Sequence, residues 1–237
     1  MRRVVVFLLL AAALAAAGYK VAFMVCDPQN RWEDALAYFY NEPRFYWVAY
    51  YNCVYMTPDP YEFSKQDVII VGGSLGYHDP NLFGNRLADY VDQGGKVVVE
   101  SGGIIYDQYR GEGIGGRWRS DGYSPYYSNS SILLTGELDL IIDEPGHAIF
   151  DGVSGLWDSY WRANTILRSD ALELAHYPDA GGVAINAAET VVAVNFQAHD
   201  DHWWTGGGFL ILANAACWLA AGSAVDETSW GWIKAAF

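Results

Sequence analysis

The segment 97–103 constrains the fold of this chain more strongly than any other part of the sequence. It joins three consecutive valines to Glu100, Ser101 and two glycines. An unbroken β-branched run of this kind predicts a strand that is covered on both faces of a parallel sheet. The glycines allow a sharp turn, or a close approach of the backbone to a ligand. An α/β protein presents a nucleophile in such a turn, so the reactivity of the Ser101 hydroxyl is the central functional question.

The rest of the chain alternates strand patterns with helix patterns, which predicts parallel pairing through right-handed crossovers. We predict strands over 19–26, 46–56, 67–73, 96–100, 132–142, 172–177, 182–186 and 190–196. We predict helices over 31–41, 79–90 and 206–221, the second of them capped by Asp79 and Pro80. Segment 104–131 is rich in Gly, Tyr, Ser and Arg, and we expect it to be a long lid or binding loop.

The first 17 residues have the pattern of an export signal. Arg2 and Arg3 precede an apolar run over 4–14 and three alanines over 15–17. The apolar run is short for a membrane span, and an uncleaved N-terminal anchor is the alternative. We therefore divide the chain into a signal peptide (1–17), an α/β domain (18–222) and a C-terminal tail (223–237). We expect the tail to dock on the domain, and the alternative is that it begins a connection to something else. A secreted or periplasmic protein at the cell exterior is expected, with no stable membrane span after cleavage.

The chain is strongly acidic. Its formal net charge is −14, and removal of a signal that carries Arg2 and Arg3 makes this about −16. Such a surface repels nucleic acids and anionic lipids, so neither is an expected partner. Cys26, Cys53 and Cys217 are predicted to be buried free thiols. A Cys26–Cys53 disulfide stays open as an alternative if their strands are neighbours.

Three short motifs resemble the class I glutamine amidotransferase-like superfamily, including its trehalose-utilisation-type relatives. Segment 68–74, Val-Ile-Ile-Val-Gly-Gly-Ser, is similar to the third strand of that family and its oxyanion glycine turn, with Gly73 in the turn. Segment 99–103 is similar to the nucleophile turn, written Gly-x-Cys-x-Gly in active enzymes. Segment 194–199, Val-Asn-Phe-Gln-Ala-His, resembles the closing Phe-His-Pro-Glu strand end. The resemblance implies a flavodoxin-like, doubly wound, mostly parallel sheet with helices on both faces.

The chain departs from this family at the catalytic positions. Ser101 stands at the position of the cysteine, Gln197 at that of the histidine and His199 at that of the glutamate, and Val99 replaces the first glycine of the turn. A serine needs an adjacent base, and the amide of Gln197 does not titrate. The resemblance therefore implies a pseudoenzyme that is not a functional glutaminase. Glu100 is either a proton shuttle or an acceptor for nearby backbone donors.

Two further arrangements involve the segment 199–202. His199, Asp201 and His202 are weak candidate metal ligands, because consecutive residues rarely converge on one ion and the spacing matches no standard site. A solvated loop without metal is the expectation. If His199 or His202 faces Ser101, a Ser–His hydrolytic arrangement arises, with Asp200 or Asp201 orienting the base.

Basic and aromatic side chains are concentrated in segment 104–131. Flat aromatic rings beside hydrogen-bonding groups are a common means of holding sugars, and arginine can clamp an anionic group. The alternative is a loop that is held in place by its own tyrosines. The predicted ligand-binding set is Gly73, Ser101, Arg117, Trp118, Tyr123, Tyr126 and Gln197.

Parallel-sheet proteins bind ligands beyond the carboxyl ends of their strands. We therefore expect Asp27, Gly73, Ser101 and residues 197–199 to meet at one end of the sheet, under the loop 104–131. The predicted function is a secreted, non-catalytic ligand-binding or interaction module without cofactor, whose partner is a small molecule or a glycan, with carbohydrate as the candidate class. The alternative is a serine hydrolase that uses Ser101 and Glu100 with His199 or with His202.

Overall fold

The computed structural model describes residues 18–107, 112–130 and 133–222. The predicted signal peptide and C-terminal tail lie outside these residues. The strands are β1 (Tyr19–Val25), β2 (Phe45–Asn52), β3 (Val68–Gly72), β4 (Val97–Glu100), β5 (Tyr106–Asp107), β6 (Glu112–Gly113), β7 (Tyr126–Tyr127), β8 (Leu133–Leu138), β9 (Ile141–Ile142), β10 (Leu156–Trp157), β11 (Ser159–Ala163), β12 (Ile166–Leu167), β13 (Leu172–Tyr177), β14 (Ala180–Ile185), β15 (Val191–Val194) and β16 (Thr205–Gly206). The helices are α1 (Glu33–Asn41), α2 (Pro60–Ser64), α3 (Pro80–Asp92), α4 (Ser101–Ile104), α5 (Gly116–Ser120) and α6 (Gly208–Ala221).

A large mixed sheet organises the fold. Its strand order is β2-β1-β3-β4-β15-β14-β13-β9. The five strands from β2 to β15 are parallel to their neighbours, and β14, β13 and β9 pair antiparallel. The predicted doubly wound, mostly parallel α/β class is therefore confirmed. The antiparallel part follows from a short connection, because β13 ends at Tyr177 and β14 begins at Ala180, and so short a turn cannot make a crossover between parallel strands.

Both faces of the parallel strands are covered, as the valine-rich pattern predicts. On one face Phe23 of β1 packs edge-on against Phe39 of α1, with ring centroids 4.9 Å apart, in a core that also includes α6. On the other face Met24 packs in a core with Phe83 of α3. The side chain of Asp79 accepts a hydrogen bond from the Leu82 N–H at 2.9 Å, so the predicted cap of α3 is confirmed.

Segment 104–131 differs from the predicted long loop. Its described residues contain the antiparallel strands β5 and β6, the helix α5 and the strand β7. Helix α5 packs closely on α3. Gly84 of α3 lies against Gly115, the residue before α5, and a Cβ at Gly84 would come within 2.0 Å of the Gly115 carbonyl oxygen. The strand predicted over 132–142 is also wrong as a single element. Strand β8 pairs with β11 outside the main sheet, whereas β9 joins the edge of the main sheet.

The three cysteines are buried free thiols, so the alternative of a Cys26–Cys53 disulfide is wrong. The Cys26 Sγ donates to the Gly72 carbonyl oxygen on β3 at 3.2 Å, and the Cys53 Sγ donates to the Tyr51 carbonyl oxygen at 3.6 Å. Burial raises the pKa of all three thiols, that of Cys217 to about 12. Within the three described ranges, no helix combines the length and apolar character needed to cross a membrane.

Asn195 connects three strands at the end of β15, and its loss will destabilise the fold. Its buried amide accepts from the Ala163 N–H at 2.7 Å and donates to the carbonyl oxygens of Ala163 (2.9 Å) and Gly181 (2.7 Å). The Asn195→Ala variant leaves these buried groups unpaired, and we expect a loss of about 2–4 kcal/mol in the free energy of unfolding. Urea unfolding monitored by circular dichroism measures this loss. The exposed Asn41→Ala variant is the control, with an expected change below about 0.5 kcal/mol.

Candidate functional site

Two glycine turns meet at the carboxyl ends of β3 and β4. Gly72 and Gly73 have positive φ values of 151° and 117°. A Cβ at Gly72 would lie 2.1 Å from the Glu100 Oε1 atom, and a Cβ at Gly102 would lie 1.7 Å from the Gly73 carbonyl oxygen. Only glycine fits where the two turns touch, which accounts for the glycines in both motifs.

Glu100 joins the two turns. Its buried carboxylate accepts hydrogen bonds from the Gly73 N–H, from the Gly102 N–H at 3.1 Å and from the Ser101 Oγ at 3.3 Å. Buried carboxylates are stable in proteins when several donors surround them. Of the two roles predicted for Glu100, proton shuttle or acceptor for nearby backbone donors, this geometry fits the acceptor.

Asp27 occupies the equivalent place at the end of β1. Its buried carboxylate accepts from the Ser74 N–H and from the Ser74 Oγ, each at 2.8 Å. The guanidinium of Arg31 lies 3.4 Å away and also donates to Ser74 Oγ. Burial raises the pKa of Asp27, although the charge of His199 and the bonds from Ser74 oppose this shift. Asp27 and Glu100 therefore form two buried acidic positions at the same end of the sheet.

His199 lies between the two carboxylates. Its Nε2 atom is 3.8 Å from Asp27 Oδ2, and its Nδ1 atom is 3.7 Å from Glu100 Oε2. The imidazole stacks on the indole of Trp32, with ring centroids 4.8 Å apart. Burial lowers the pKa of His199, but the two carboxylates raise it by more, and its pKa is raised overall. The expected meeting of Asp27 with residue 199 is thus observed, with the ring turned into the protein.

Ser101 is fully buried, and its hydroxyl donates to Glu100. Among the described residues, no histidine nitrogen lies within hydrogen-bond distance of the Ser101 Oγ. The imidazole of His199 faces the two carboxylates, whereas the exposed His202 bonds through Nδ1 to Asp200 Oδ1 at 2.7 Å. The Ser–His arrangement expected as an alternative is not formed.

A cavity of about 430 Å³ opens beside His199. It is lined by Arg31, Ser74, Leu133, Trp161, Gln197, His199, Asp200 and Trp203. The indoles of Trp161 and Trp203 meet edge to face with centroids 5.9 Å apart. Gln197 is 8% exposed, and its side-chain amide, which makes no hydrogen bond within the described part of the chain, is open to the cavity. The cavity therefore combines aromatic walls with a free amide.

The aromatic and basic residues of the predicted binding loop lie elsewhere. Arg117 pairs with Asp89, Asp92 and Asp121, and so ties α5 to α3. Trp118 is 3% exposed and stacks on Tyr123, with ring centroids 5.8 Å apart.

Tyr126 is 1% exposed, and its hydroxyl donates to Glu173 Oε1 at 2.6 Å. The expectation that these side chains roof the strand ends is wrong, because they hold their own segment on the domain. Of the predicted ligand-binding residues, Gln197 alone lines the cavity beside His199.

The candidate metal ligands separate into two places. The ligand atoms of Asp200, Asp201 and His202 lie within 4.8 Å of one another on the surface, whereas His199 turns inward. Asp200 Oδ1 accepts from the His202 N–H at 3.1 Å and caps the short helical turn Asp201–Trp203. Hydrogen bonds within the loop account for the close approach of these ligand atoms.

Arg31, Trp161 and Trp203 line the cavity but are absent from the predicted site. Arg31 follows Asp27 by four residues at the end of β1, and this position was a usable signal under the strand-end rule. Trp203 directly follows the 199–202 segment, so its position was a usable signal for the same reason. Trp161 carries no such signal, because it reaches the cavity through the pairing of β11 with β8.

The buried His199 makes the stability of the fold depend on pH. Its raised pKa means that the folded protein holds the proton more tightly than the unfolded chain does. This stabilisation is full below about pH 6.5 and is lost as the pH rises through the folded-state pKa. The raised pKa of Asp27 acts with the same sign at lower pH, from about pH 3.9 upward. We expect the free energy of unfolding to fall as the pH rises above about 6.5, the pKa of a histidine in the unfolded chain.

Urea titrations at several pH values measure this fall, and the His199→Gln variant should remove it. The exposed His202→Gln variant is the control and should keep most of it. A wild-type curve that is flat across the same range, or one that rises, would contradict the assignment.

The geometry of Ser101 predicts an unreactive hydroxyl. Its Oγ is fully buried, no histidine of the described residues lies beside it, and the Glu100 carboxylate that accepts its hydrogen bond is already held by the Gly73 and Gly102 N–H groups. We expect no labelling of the purified protein by a fluorophosphonate probe, measured by intact mass. Labelling that disappears in the Ser101→Ala variant would contradict this and support the hydrolase alternative.

Comparison with solved structures identifies related folds. No protein-family model and no curated protein sequence matches the chain. The chain is similar to the cytoplasmic protein STM3548 from Salmonella typhimurium (TM-score 0.62, 12% identity, covering 83% of this chain and 97% of that one). It is also similar to a ThuA-like protein from Bacteroides uniformis, with a TM-score of 0.60 and 14% identity over 89% of this chain and 93% of that one. A third similar structure is the cytoplasmic protein STM1381 from Salmonella typhimurium LT2, with a TM-score of 0.57 and 14% identity over 88% of this chain and 100% of that one. At these identities the shared property is the fold.

Proposed function

We propose that this protein is a non-catalytic binding module for a neutral carbohydrate. The observation that carries the proposal is the side-chain amide of Gln197, which makes no hydrogen bond within the described residues and lines a cavity with two tryptophan walls. A ligand can bond to this amide without breaking a hydrogen bond inside the protein. Binding is therefore a role for this side chain that the fold does not already supply.

The charges around the cavity are already compensated within the protein. Arg31 lies against Asp27 and Ser74, and His199 lies between two carboxylates. The carboxylate of Asp200 is bonded to His202. Because each charge has a partner of opposite sign, a charged ligand would compete with existing ion pairs. A neutral ligand fits the cavity better.

The remaining groups match the surface of a sugar. An amide offers two donors and an acceptor, which suits hydroxyl groups that both donate and accept. The indoles of Trp161 and Trp203 offer apolar faces for the C–H groups of a sugar ring. Trp203 is 38% exposed at the mouth of the cavity, so its ring is accessible to a ligand.

The hydrolase alternative has less support. It needs Ser101 at the surface of a cavity and a histidine beside it, whereas Ser101 is fully buried and donates to Glu100. Carbohydrate binding therefore remains the proposal, and the labelling experiment above is the test of the alternative.

Export to the cell exterior is the second part of the proposal. It rests on the signal-like sequence of residues 1–17. Strand β1 begins at Tyr19, whose N–H donates to the Arg44 carbonyl oxygen at 2.7 Å. Cleavage after Ala17 would leave this strand intact.

The tryptophan walls provide the test of carbohydrate binding. We expect the protein to bind neutral sugars on a glycan array, and the Trp161→Ala and Gln197→Ala variants to lose about 10-fold or more in affinity, since aromatic and hydrogen-bonding anchors dominate such sites. Isothermal titration calorimetry measures the loss. Trp47→Ala removes an exposed indole on the edge strand β2 and should bind as wild type does. Absence of binding to every neutral glycan would refute the proposal, as would equal losses in the control.

A further inference from the structure

We infer that the protein forms a two-fold symmetric dimer in which β2 of one copy pairs antiparallel with β2 of a second copy. The inference concerns the edge of the main sheet and is independent of the proposed function. Strand β2 stands at one end of the strand order and β9 at the other, so each has one side without a partner strand among the described residues. The backbone N–H and C=O groups on such a side are a template for a further strand.

The two edges of the main sheet are built differently. Strand β9 has two residues, and so short an edge offers little backbone to pair with. Strand β2 has eight residues, and its register with β1 is regular from Trp47 to Asn52. Charged residues and prolines commonly block an exposed edge, and segment 45–52 contains neither. The β2 edge is therefore long and open to pairing.

The direction of the free backbone groups of β2 follows from its pairing with β1. The Cys53 N–H, directly after β2, donates to the Val25 carbonyl oxygen on β1 at 2.8 Å. Backbone groups two residues apart in a strand point to the same side, so the N–H groups at the odd-numbered positions from 47 to 51 also face β1. The N–H and C=O groups of Val48 and Tyr50 face away from β1, where a further strand would bond to them.

Exposed aromatic side chains surround this edge. Among the large hydrophobic side chains of the described residues, the five most exposed all lie on β2 or on the segments that precede and follow it. They are those of Tyr40, Tyr46, Trp47, Tyr55 and Tyr61. A concentration of exposed apolar side chains in one region is typical of an interaction surface.

The charge of the chain favours a second copy as the occupant of this edge. Segment 45–58 has no charged residue, although the chain carries a formal net charge of −14. A contact made by neutral residues lets two acidic copies meet without placing like charges opposite each other. A surface that recruits a basic protein would instead present acidic side chains at the contact. The neutral edge therefore fits an identical neutral edge.

Two-fold pairing also brings complementary side chains together. With the symmetry axis at Ala49, Val48 exchanges both backbone hydrogen bonds with the partner's Tyr50, and Trp47 lies opposite the partner's Tyr51. Opposite residues of an antiparallel pair lie on the same face of the sheet, and aromatic pairs in this position stabilise it. The ring of Tyr51 is held in place for this contact, because its hydroxyl donates to Glu62 Oε2 on α2. The symmetry repeats each of these contacts, so one strand supplies both halves of the interface.

Sedimentation equilibrium of the purified protein over a concentration series tests the dimer. We expect a mass twice that of one chain. The Trp47→Glu variant should weaken the dimer about 10-fold or more, because it removes an aromatic contact and places a charge on the pairing edge. Leu172→Glu is the matched control, since Leu172 is 56% exposed, compared with 57% for Trp47, and lies on β13. It should leave the dimer dissociation constant within about 2-fold of wild type, and circular dichroism checks that both variants are folded.

Amide hydrogen exchange measured by NMR locates the interface. Pairing through β2 bonds the Val48 and Tyr50 N–H groups to the partner, so we expect both amides to exchange slowly in the wild-type dimer. In Trp47→Glu they should exchange about 10-fold faster or more, because the edge is then open to water for a larger fraction of the time.

Four results would overturn the inference. The first is a protein that stays monomeric at every concentration, and the second is a dimer that survives Trp47→Glu unchanged. The third is a dimer in which the Val48 and Tyr50 amides exchange rapidly, since its interface would lie elsewhere on the surface. The fourth is a monomer in which these amides exchange slowly, since another segment of the same chain would then cover the edge.

Discussion

The bonds that converge on the Glu100 carboxylate hold the end of this sheet together. Two turns, after β3 and after β4, both direct backbone N–H groups at the same side chain. A buried carboxylate is stable only when donors and opposite charge replace the lost water, and the Gly73 turn, the Gly102 turn and His199 provide them together. The glycines, the buried serine and the inward histidine are consequences of this one arrangement.

The same arrangement explains why the cavity lies where it does. His199 is drawn inward by Asp27 and Glu100 and is stacked on Trp32, so it forms a wall. Gln197, two residues earlier, is left facing the opening. Because the buried charges of Asp27, Glu100 and His199 lie beside one another, the polar group that Gln197 presents to the cavity is a neutral amide.

Much of the fold could be predicted from the sequence, because its strongest signals are local. The valines of β4, the run in β3 and the Asp79 cap of α3 each have a clear pattern, and each is observed. The gathering of Asp27, Gly73 and residues 197–199 followed from the rule that ligands meet parallel strands at their carboxyl ends.

The errors concern elements whose position depends on distant pairing. Trp118 and Tyr126 have the composition of a binding loop, but packing on α3 and a bond to Glu173 turn both of them inward. Trp161 reaches the cavity only because β11 pairs with β8, a contact between segments more than twenty residues apart. Side-chain chemistry is visible in a sequence, whereas the direction in which a side chain points is decided by the rest of the chain.

The Glu100 carboxylate also limits how the turn after β4 can change. The N–H groups of Gly73 and Gly102 belong to two different turns and share this one acceptor. A side chain at position 100 that cannot accept both hydrogen bonds would leave two buried donors unpaired at once. The identity of residue 100 is therefore coupled to the conformation of a turn 27 residues earlier in the chain.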